Sequence, residues 1–164
     1  MSEFSSVSSY LKRLDIKFEA INVYEISDSE AHRCIKTIAF EVRGGPKRFI
    51  LACLQRDQRI NLPKLAHVAG LPRSRLFWAS SESLKNNLGV EPGAISPFVE
   101  TLDADVFVNA DIFQHPWVYV GSGDKDFVLR IETSTLRRLA ARCCQVGINQ
   151  REQSAVPAPL VSAR

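Results

Sequence analysis

No apolar stretch in this chain approaches the roughly 18 residues that a membrane-spanning helix needs, which argues against a membrane protein. The start, Met1-Ser2-Glu3-Phe4-Ser5-Ser6, has neither the basic opening nor the apolar centre of a secretory signal, so a cytoplasmic location is expected. Four cysteines, Cys34, Cys53, Cys143 and Cys144, show no CxxC spacing, and no histidine pair stands at zinc-ligand distance. A structural zinc site is therefore not indicated. Cys34 and Cys53 read as small buried hydrophobes, while the adjacent Cys143 and Cys144 leave a redox role open. Two nucleotide signatures are missing as well. There is no P-loop, and Gly121-Ser122-Gly123 lacks the third glycine of a dinucleotide fingerprint and precedes a strand rather than a helix. His32, His67 and His115 form no constellation with a serine and a carboxylate that spacing reveals. The expectation is a protein with neither metal nor cofactor.

What remains is ordinary in size and balance. The 164 residues are 45% hydrophobic and 24% charged, which suits one globular domain with a single sizeable core. The net charge of +3 permits an RNA partner without requiring one. Nothing in the pattern specifies an oligomeric state.

Along the chain, Val7, Tyr10, Leu11 and Leu14 recur at helical spacing and predict an amphipathic helix over Ser5–Leu14. Residues 18–24 alternate as a strand does. Residues 26–33 are polar and read as a loop or short helix. Two β-rich runs, 35–42 and 48–54, flank Arg43-Gly44-Gly45-Pro46-Lys47, which predicts a hairpin. Asn61 caps a helix over 62–69 with Pro63 in its first turn and Gly70 past its end. A short strand at 76–79 precedes a helix capped by Ser80 or Ser81 and stopped by Gly89. Strands are predicted at 105–109, 117–121 and 127–131, then a helix from Ser134 to about Arg142. The expected organisation is one domain over residues 1–144 and a disordered tail over 145–164. Interspersed helices with hairpins predict an α/β fold of the α+β kind, with a mixed, largely antiparallel central sheet.

Two segments can carry chemistry. Lys36 falls inside a strand pattern in which Cys34, Lys36, Ile38 and Phe40 share a face. An ammonium among apolar neighbours needs a partner or solvent; a lysine that simply snorkels to water from a strand end fits the same pattern. The second is Gly93-Ala94-Ile95-Ser96-Pro97-Phe98. Gly93 lets a ligand approach the backbone, Pro92 and Pro97 stiffen the loop, and its N–H groups are of the kind that stabilise an oxyanion. An irregular surface connection would read the same way.

Taken in order, Ile35-Lys36-Thr37-Ile38, the Gly44-Gly45 turn, Gln55 to Leu62, Leu84 to Gly89, the Gly93-to-Pro97 glycine-three-residues-proline loop, and Val120-Gly121-Ser122-Gly123 before the strand Phe127 to Ile131 resemble the YbaK-like aminoacyl-tRNA deacylases. That family is related to the editing domain of bacterial prolyl-tRNA synthetase, and the resemblance spans about residues 5–142. It implies hydrolysis of the ester joining a wrong amino acid to the 3′ end of a tRNA, with Cys- or Ala-tRNA for proline as precedents and the first preferred. Lys36 would orient the terminal nucleotide or stabilise developing negative charge. Gly93 would position the carbonyl, with Ala94, Ile95, Ser96, Pro97, Phe98, Gly121 and Gly123 around the substrate. Water would attack, a terminal ribose hydroxyl would assist, or the substrate's own side chain would attack. Arg56, Arg59, Arg73 and Arg75 would meet tRNA phosphates, and a synthetase is a further candidate partner.

Two departures stand out. Many relatives have basic residues after the loop, whereas Val99-Glu100-Thr101-Leu102-Asp103-Ala104-Asp105 is acidic and would repel phosphate. Relatives also have a longer helical segment before the lysine than Ser27 to Arg33. A non-catalytic tRNA- or protein-binding module on the same fold, and a hydrolase of a smaller ester, are the alternative readings.

Overall fold

The computed structural model describes residues 3–100, 103–139, 142–144 and 146–149. Its elements in chain order are α1 (Glu3–Arg13), β1 (Glu19–Asn22), β2 (Ile35–Val42), β3 (Phe49–Gln55), β4 (Gln58–Ile60), α2 (Leu62–Ala69), β5 (Leu76–Trp78), α3 (Ser81–Leu88), β6 (Ala104–Asn109), β7 (Trp117–Gly121), β8 (Phe127–Glu132), β9 (Arg142–Cys144) and β10 (Gly147–Asn149). Short 3-10 turns fill several connections, including 23–25, 28–33 and 92–94.

Local chemistry accounts for most boundaries. The Asn61 side chain accepts from the Lys64 N–H, and Gly70 ends α2 in a left-handed conformation. Ser80 accepts from the Ser83 N–H, and Gly89 closes α3 in the same left-handed way. Each cap satisfies a helix-end group that would otherwise lack a partner. β3 is apolar and buried through Phe49–Leu54, as a central strand covered on both faces should be.

Five strands form one sheet in the order β5-β2-β3-β6-β9, and three form a second in the order β1-β8-β7. Pairing is mixed and mostly antiparallel, as the sequence predicts; the parallel ladders among the described residues are β3–β6 and β6–β9. One core, containing Val7, Leu11, Phe98, Val118 and Leu129, lies between the two sheets and α1. A second packs Phe40, Leu54 and Phe107 against Leu65 and Ala66 of α2. A third joins Ala39 and Leu51 to Leu84 and Leu88 of α3.

Two expectations are corrected at the C-terminal side. Residues 133–139 form a 3-10 turn, not the start of an α-helix to Arg142, and Arg142–Cys144 is a strand on β6. The Thr135 hydroxyl donates to the Glu132 carbonyl at 2.7 Å, the local competition that makes threonine a weak helix interior. The disordered tail does not begin at 145. Val146 is fully buried, and Gly147–Asn149 pairs with β4. Gln145 and residues 150–164 of that expected tail lie outside the described residues.

The feature that makes room for a site is an incomplete edge. β5 pairs only with residues 40–42 of β2. The Arg56 N–H bonds the Cys34 carbonyl, whereas the Ala79 N–H bonds the Ala39 carbonyl. Even-numbered residues of β2 therefore turn their backbone groups to β3, and odd-numbered ones turn theirs to the other edge. Beside Cys34 that edge meets β7 through an isolated parallel bridge to Tyr119, and at Thr37 no strand pairs with it among the described residues.

Candidate active site

A cavity of about 440 Å³ opens beside this partly covered edge. Lys36 and Thr37 line it from β2, Arg56 from the β3–β4 turn, Pro92 and Gly93 from the loop, and Gly121 from the end of β7. Ser27, Asp28 and Ala31, from the segment that precedes β2, form the opposite wall. A larger and more open hollow of about 770 Å³ surrounds Trp117 and Arg130 but contains neither Lys36 nor the loop. The smaller cavity is the stronger candidate, because enclosure is what keeps water away and strengthens electrostatic contacts.

Lys36 is half-buried, and its ammonium donates to the Gln58 backbone carbonyl. Burial lowers its pKa from the ordinary 10.5; Asp57 opposes that shift and Arg59 adds to it. The carbonyl that holds Lys36 is itself fixed. The Gln58 side-chain oxygen accepts from the Gln55 N–H at 3.0 Å, and its amide donates to Asp111. Asn109, fully buried, accepts from the Val146 and Gly147 N–H groups at 2.8 and 2.9 Å and donates to Asp111 at 2.6 Å. The strand β10 is thus tied to the same polar cluster that sets the Lys36 partner.

The glycine–proline loop divides in two. Pro92 and Gly93 are exposed, whereas Ala94, Ile95, Ser96, Pro97 and Phe98 are buried. Ile95 still reaches the cavity; Ala94, Ser96, Pro97 and Phe98 do not line it. The Ser96 hydroxyl accepts from the Phe98 N–H at 3.1 Å and stiffens the turn. Gly123 donates its N–H to the Ala94 carbonyl at 2.8 Å. A Cβ on Gly121 would stand 2.0 Å from the Ile95 carbonyl oxygen, so only glycine lets the loop lie on β7 at this point. Gly123 is outside the cavity lining and packs against Glu3 and Phe4. Gly121 and Gly123 therefore hold the loop in place.

The four arginines separate. Arg56 lines the cavity, and exposed Arg59 is near enough to act on the Lys36 charge. Arg73 and Arg75 are at the other end of β2, a strand length of about 23 Å away at 3.3 Å per residue. Arg73 donates to the Leu76 carbonyl at 2.8 Å, and Arg75 reaches the Gly44 carbonyl at 3.4 Å. Arg75 braces the hairpin, Arg73 braces the turn into β5, and neither lines the cavity.

Two acidic residues of the run after the loop are engaged away from the cavity. Glu100 pairs with Arg13 and Asp103 with Lys47, and neither lines the cavity. Sequence reasoning missed Cys34, Thr37 and Lys125 as lining residues; they meet only through the packing of β2 against the β7–β8 turn, which no local pattern signals. Burial raises the Cys34 thiol pKa, with Arg56 opposing and Glu30 adding. A thiol held protonated is a poor nucleophile, which disfavours a covalent cysteine mechanism. Among the described residues no three His, Cys, Asp or Glu side chains gather as metal ligands do, and no helix is long and apolar enough to cross a membrane.

No curated protein matches this sequence. Among solved structures, a proposed trans-editing enzyme for prolyl tRNA synthetase superposes with a TM-score of 0.74 at 17% identity, covering 90% of this chain and 98% of its own. A protein from computational epitope grafting onto scaffolds gives 0.76 at 16% identity, covering 90% and 98%. A proposed signal transduction protein from Marinobacter aquaeolei VT8 gives 0.70 at 12% identity, with 90% of this chain aligned to 31% of the larger one. At these identities the likeness establishes the fold alone. The sequence pattern of the aminoacyl-tRNA editing domain matches residues 19–139. With β1 through β8 and the whole cavity inside that span, this chain belongs to the aminoacyl-tRNA editing domain family.

Proposed function

We propose that this protein hydrolyses the ester bond of a mischarged aminoacyl-tRNA in trans, with Cys- or Ala-tRNA for proline as the substrates to test first. The observation that carries the reading is the single cavity shared by Lys36 and Gly93. Its volume of about 440 Å³ suits a small aminoacyl group with the terminal ribose and lies within the range of roughly 300–1,000 Å³ usual for small-ligand sites.

In this mechanism the aminoacyl carbonyl lies against Gly93 and the exposed lip of the loop. Water attacks the carbonyl carbon, and negative charge develops on its oxygen. Collapse of the tetrahedral intermediate breaks the carbon–oxygen ester bond. The proton lost by the water goes to the departing ribose oxygen, giving free amino acid and intact tRNA. Lys36 has three N–H donors, one of them on Gln58. The others serve the terminal nucleotide or the developing oxyanion. Arg56, at the rim, meets a phosphate of the same strand. A neighbouring ribose hydroxyl, or a thiol on the amino acid itself, assists attack, consistent with the absence of an activated protein nucleophile in the cavity lining.

The ion pairs of Glu100 and Asp103, formed away from the cavity, weaken the sequence argument for a smaller ester. The decisive experiment incubates the protein and its Lys36→Ala variant with a panel of mischarged tRNAs and follows release of the amino acid. Lysine-dependent release from one pairing supports the reading and names the substrate. No release from any pairing, with uncharged tRNA still bound, would replace it with a binding module.

A further inference from the structure

The larger hollow shares a sheet face with the candidate active site. Along β7, Trp117, Tyr119 and Gly121 point to one side. Their partners on β8 are Glu132, Arg130 and Val128. Gly121 and Val128 line the smaller cavity, whereas Trp117 and Arg130 line the larger one. Four residues along β7, about 13 Å at 3.3 Å per residue, separate the two.

Trp117 is unusual in carrying two guanidinium groups. Arg130 is 3.9 Å and Arg33 4.3 Å from its ring centroid. Tyr119 meets it edge-on at 5.1 Å. Exposed Lys17 adds a third cation to the rim. Glu19 and Glu132 also line the hollow, yet the ion pairs among the described residues, Arg13–Glu100 and Lys47–Asp103, are elsewhere. Among the described residues neither guanidinium on Trp117 forms an ion pair, although Glu19 stands across from Arg130 in the β1–β8 register. Arg33 has a structural task as well, donating to the Trp117 carbonyl at 3.4 Å and so fastening the 28–33 turn to β7. Arg130 has no comparable bond among the described residues.

We propose that this Arg33–Trp117–Arg130 face binds the unpaired RNA strand that leads into the cavity, taking a base on the stacked planes and a phosphate on the guanidinium donors. The proposal rests on the aminoacyl-RNA reading above. Planar guanidinium and indole groups accept bases of any sequence, and their cations track the backbone. A stacked strand rises about 3.4 Å per nucleotide, so the 13 Å between the hollows suits a short unpaired end. A duplex, by contrast, is recognised across a broad groove by phosphate and ribose contacts, which a platform of this width does not offer.

The test uses a fluorescein-labelled single-stranded RNA hexamer ending in CCA and the blunt acceptor duplex without that end, titrated by anisotropy at several salt concentrations. Arg130→Gln, chosen because the Arg130 side chain, unlike that of Arg33, holds no backbone carbonyl among the described residues, is expected to weaken hexamer binding roughly five- to a hundredfold, the range seen when a stacking contact is lost. It should lower the salt slope by about one phosphate with the melting temperature unchanged. In deacylation the loss should fall on KM rather than kcat. Trp117→Phe, which keeps an aromatic plane, should retain more binding than Arg130→Gln. Unchanged hexamer affinity and salt slope in Arg130→Gln, or an equal loss on the duplex alone, would overturn the proposal. If Lys36-dependent deacylation persists while Arg130→Gln keeps its KM, only this surface is wrong. If the wild-type protein neither binds the hexamer nor deacylates, the functional reading fails with it.

Discussion

Gly93 and Gly121 line one cavity and have opposite surroundings. A Cβ on Gly121 would fall 2.0 Å from the Ile95 carbonyl oxygen and 2.7 Å from its carbon, while a Cβ on Gly93 would meet nothing within 4 Å. The difference runs through the whole loop. Its root, Ala94 to Phe98, is buried and pinned to β7 and the β7–β8 turn. Its lip, Pro92 and Gly93, is exposed. A loop clamped at the root and open at the lip can present backbone to a ligand without paying to order itself at the moment of binding. The root contributes stability, and the lip is where the proposed chemistry lies.

The largest effect should follow from disturbing the root. Gly121→Ala forces backbone apart from backbone, and overpacking of this kind costs about 1–3 kcal/mol, more where nothing can yield. We expect about 3 kcal/mol in denaturant unfolding. Activity should fall about a hundredfold as well, because a displacement of about 1 Å at a reacting centre is enough for that loss. Wild-type stability in Gly121→Ala would mean that the loop slides freely and that root and lip do not differ.

Lys36→Ala sharpens the contrast from the other side. Losing a donor to a developing oxyanion costs about 10²–10³ in kcat, while a half-exposed lysine with one bond to a carbonyl leaves stability nearly untouched. Single-turnover deacylation and a melting curve on the same sample check both halves. A stability loss as large as that of Gly121→Ala would make Lys36 part of the clamp.

A smaller effect is expected from pH. Since burial lowers the Lys36 pKa from 10.5, the ammonium-dependent part of the rate should fade on the alkaline side at a midpoint below that value. Stability moves the other way. The unfolded chain binds this proton more tightly, so between the folded midpoint and 10.5 stability rises with pH. Subtracting the Lys36→Ala rate at each pH isolates the lysine from spontaneous ester hydrolysis. A lysine-dependent rate flat through pH 10.5 would remove the ammonium from the mechanism.

Much of this was legible beforehand, and the boundary between legible and hidden is physical. The β2–β3 hairpin, α2 and α3 rest on local signals: Gly44-Gly45, Asn61 and Gly70, Ser80 and Gly89. Lys36 and Gly93 stood out because a charge in a strand and a glycine–proline loop are local anomalies. The strands β9 and β10 are three residues each and exist through partners far away in sequence, β6 and β4. No periodicity over three residues could reveal them. Arg73 and Arg75 read as phosphate contacts because basic residues look alike in sequence, and only the extent of β2 separates them from the cavity. Gly121 looked like a ligand-facing glycine. The lack of a Cβ serves close approach of a ligand and close approach of the protein's own backbone equally, and sequence does not say which.

Gly93→Ala gives the smallest effect on the fold and the most exacting test of the comparison. The position has no backbone torsion that requires glycine, and its Cβ would enter open space. Stability should therefore hold or rise by about 0.4–1 kcal/mol, because alanine restricts the unfolded chain more than glycine does. The methyl group would stand at the lip, where the aminoacyl carbonyl is to lie. Loss of activity should then be steric and graded, with Gly93→Val worse than Gly93→Ala and unfolding midpoints nearly equal. Activity untouched by either would move the carbonyl away from Gly93. A fold weakened by alanine alone would mean that the lip is packed as tightly as the root, and the division of labour within the loop would have to be abandoned.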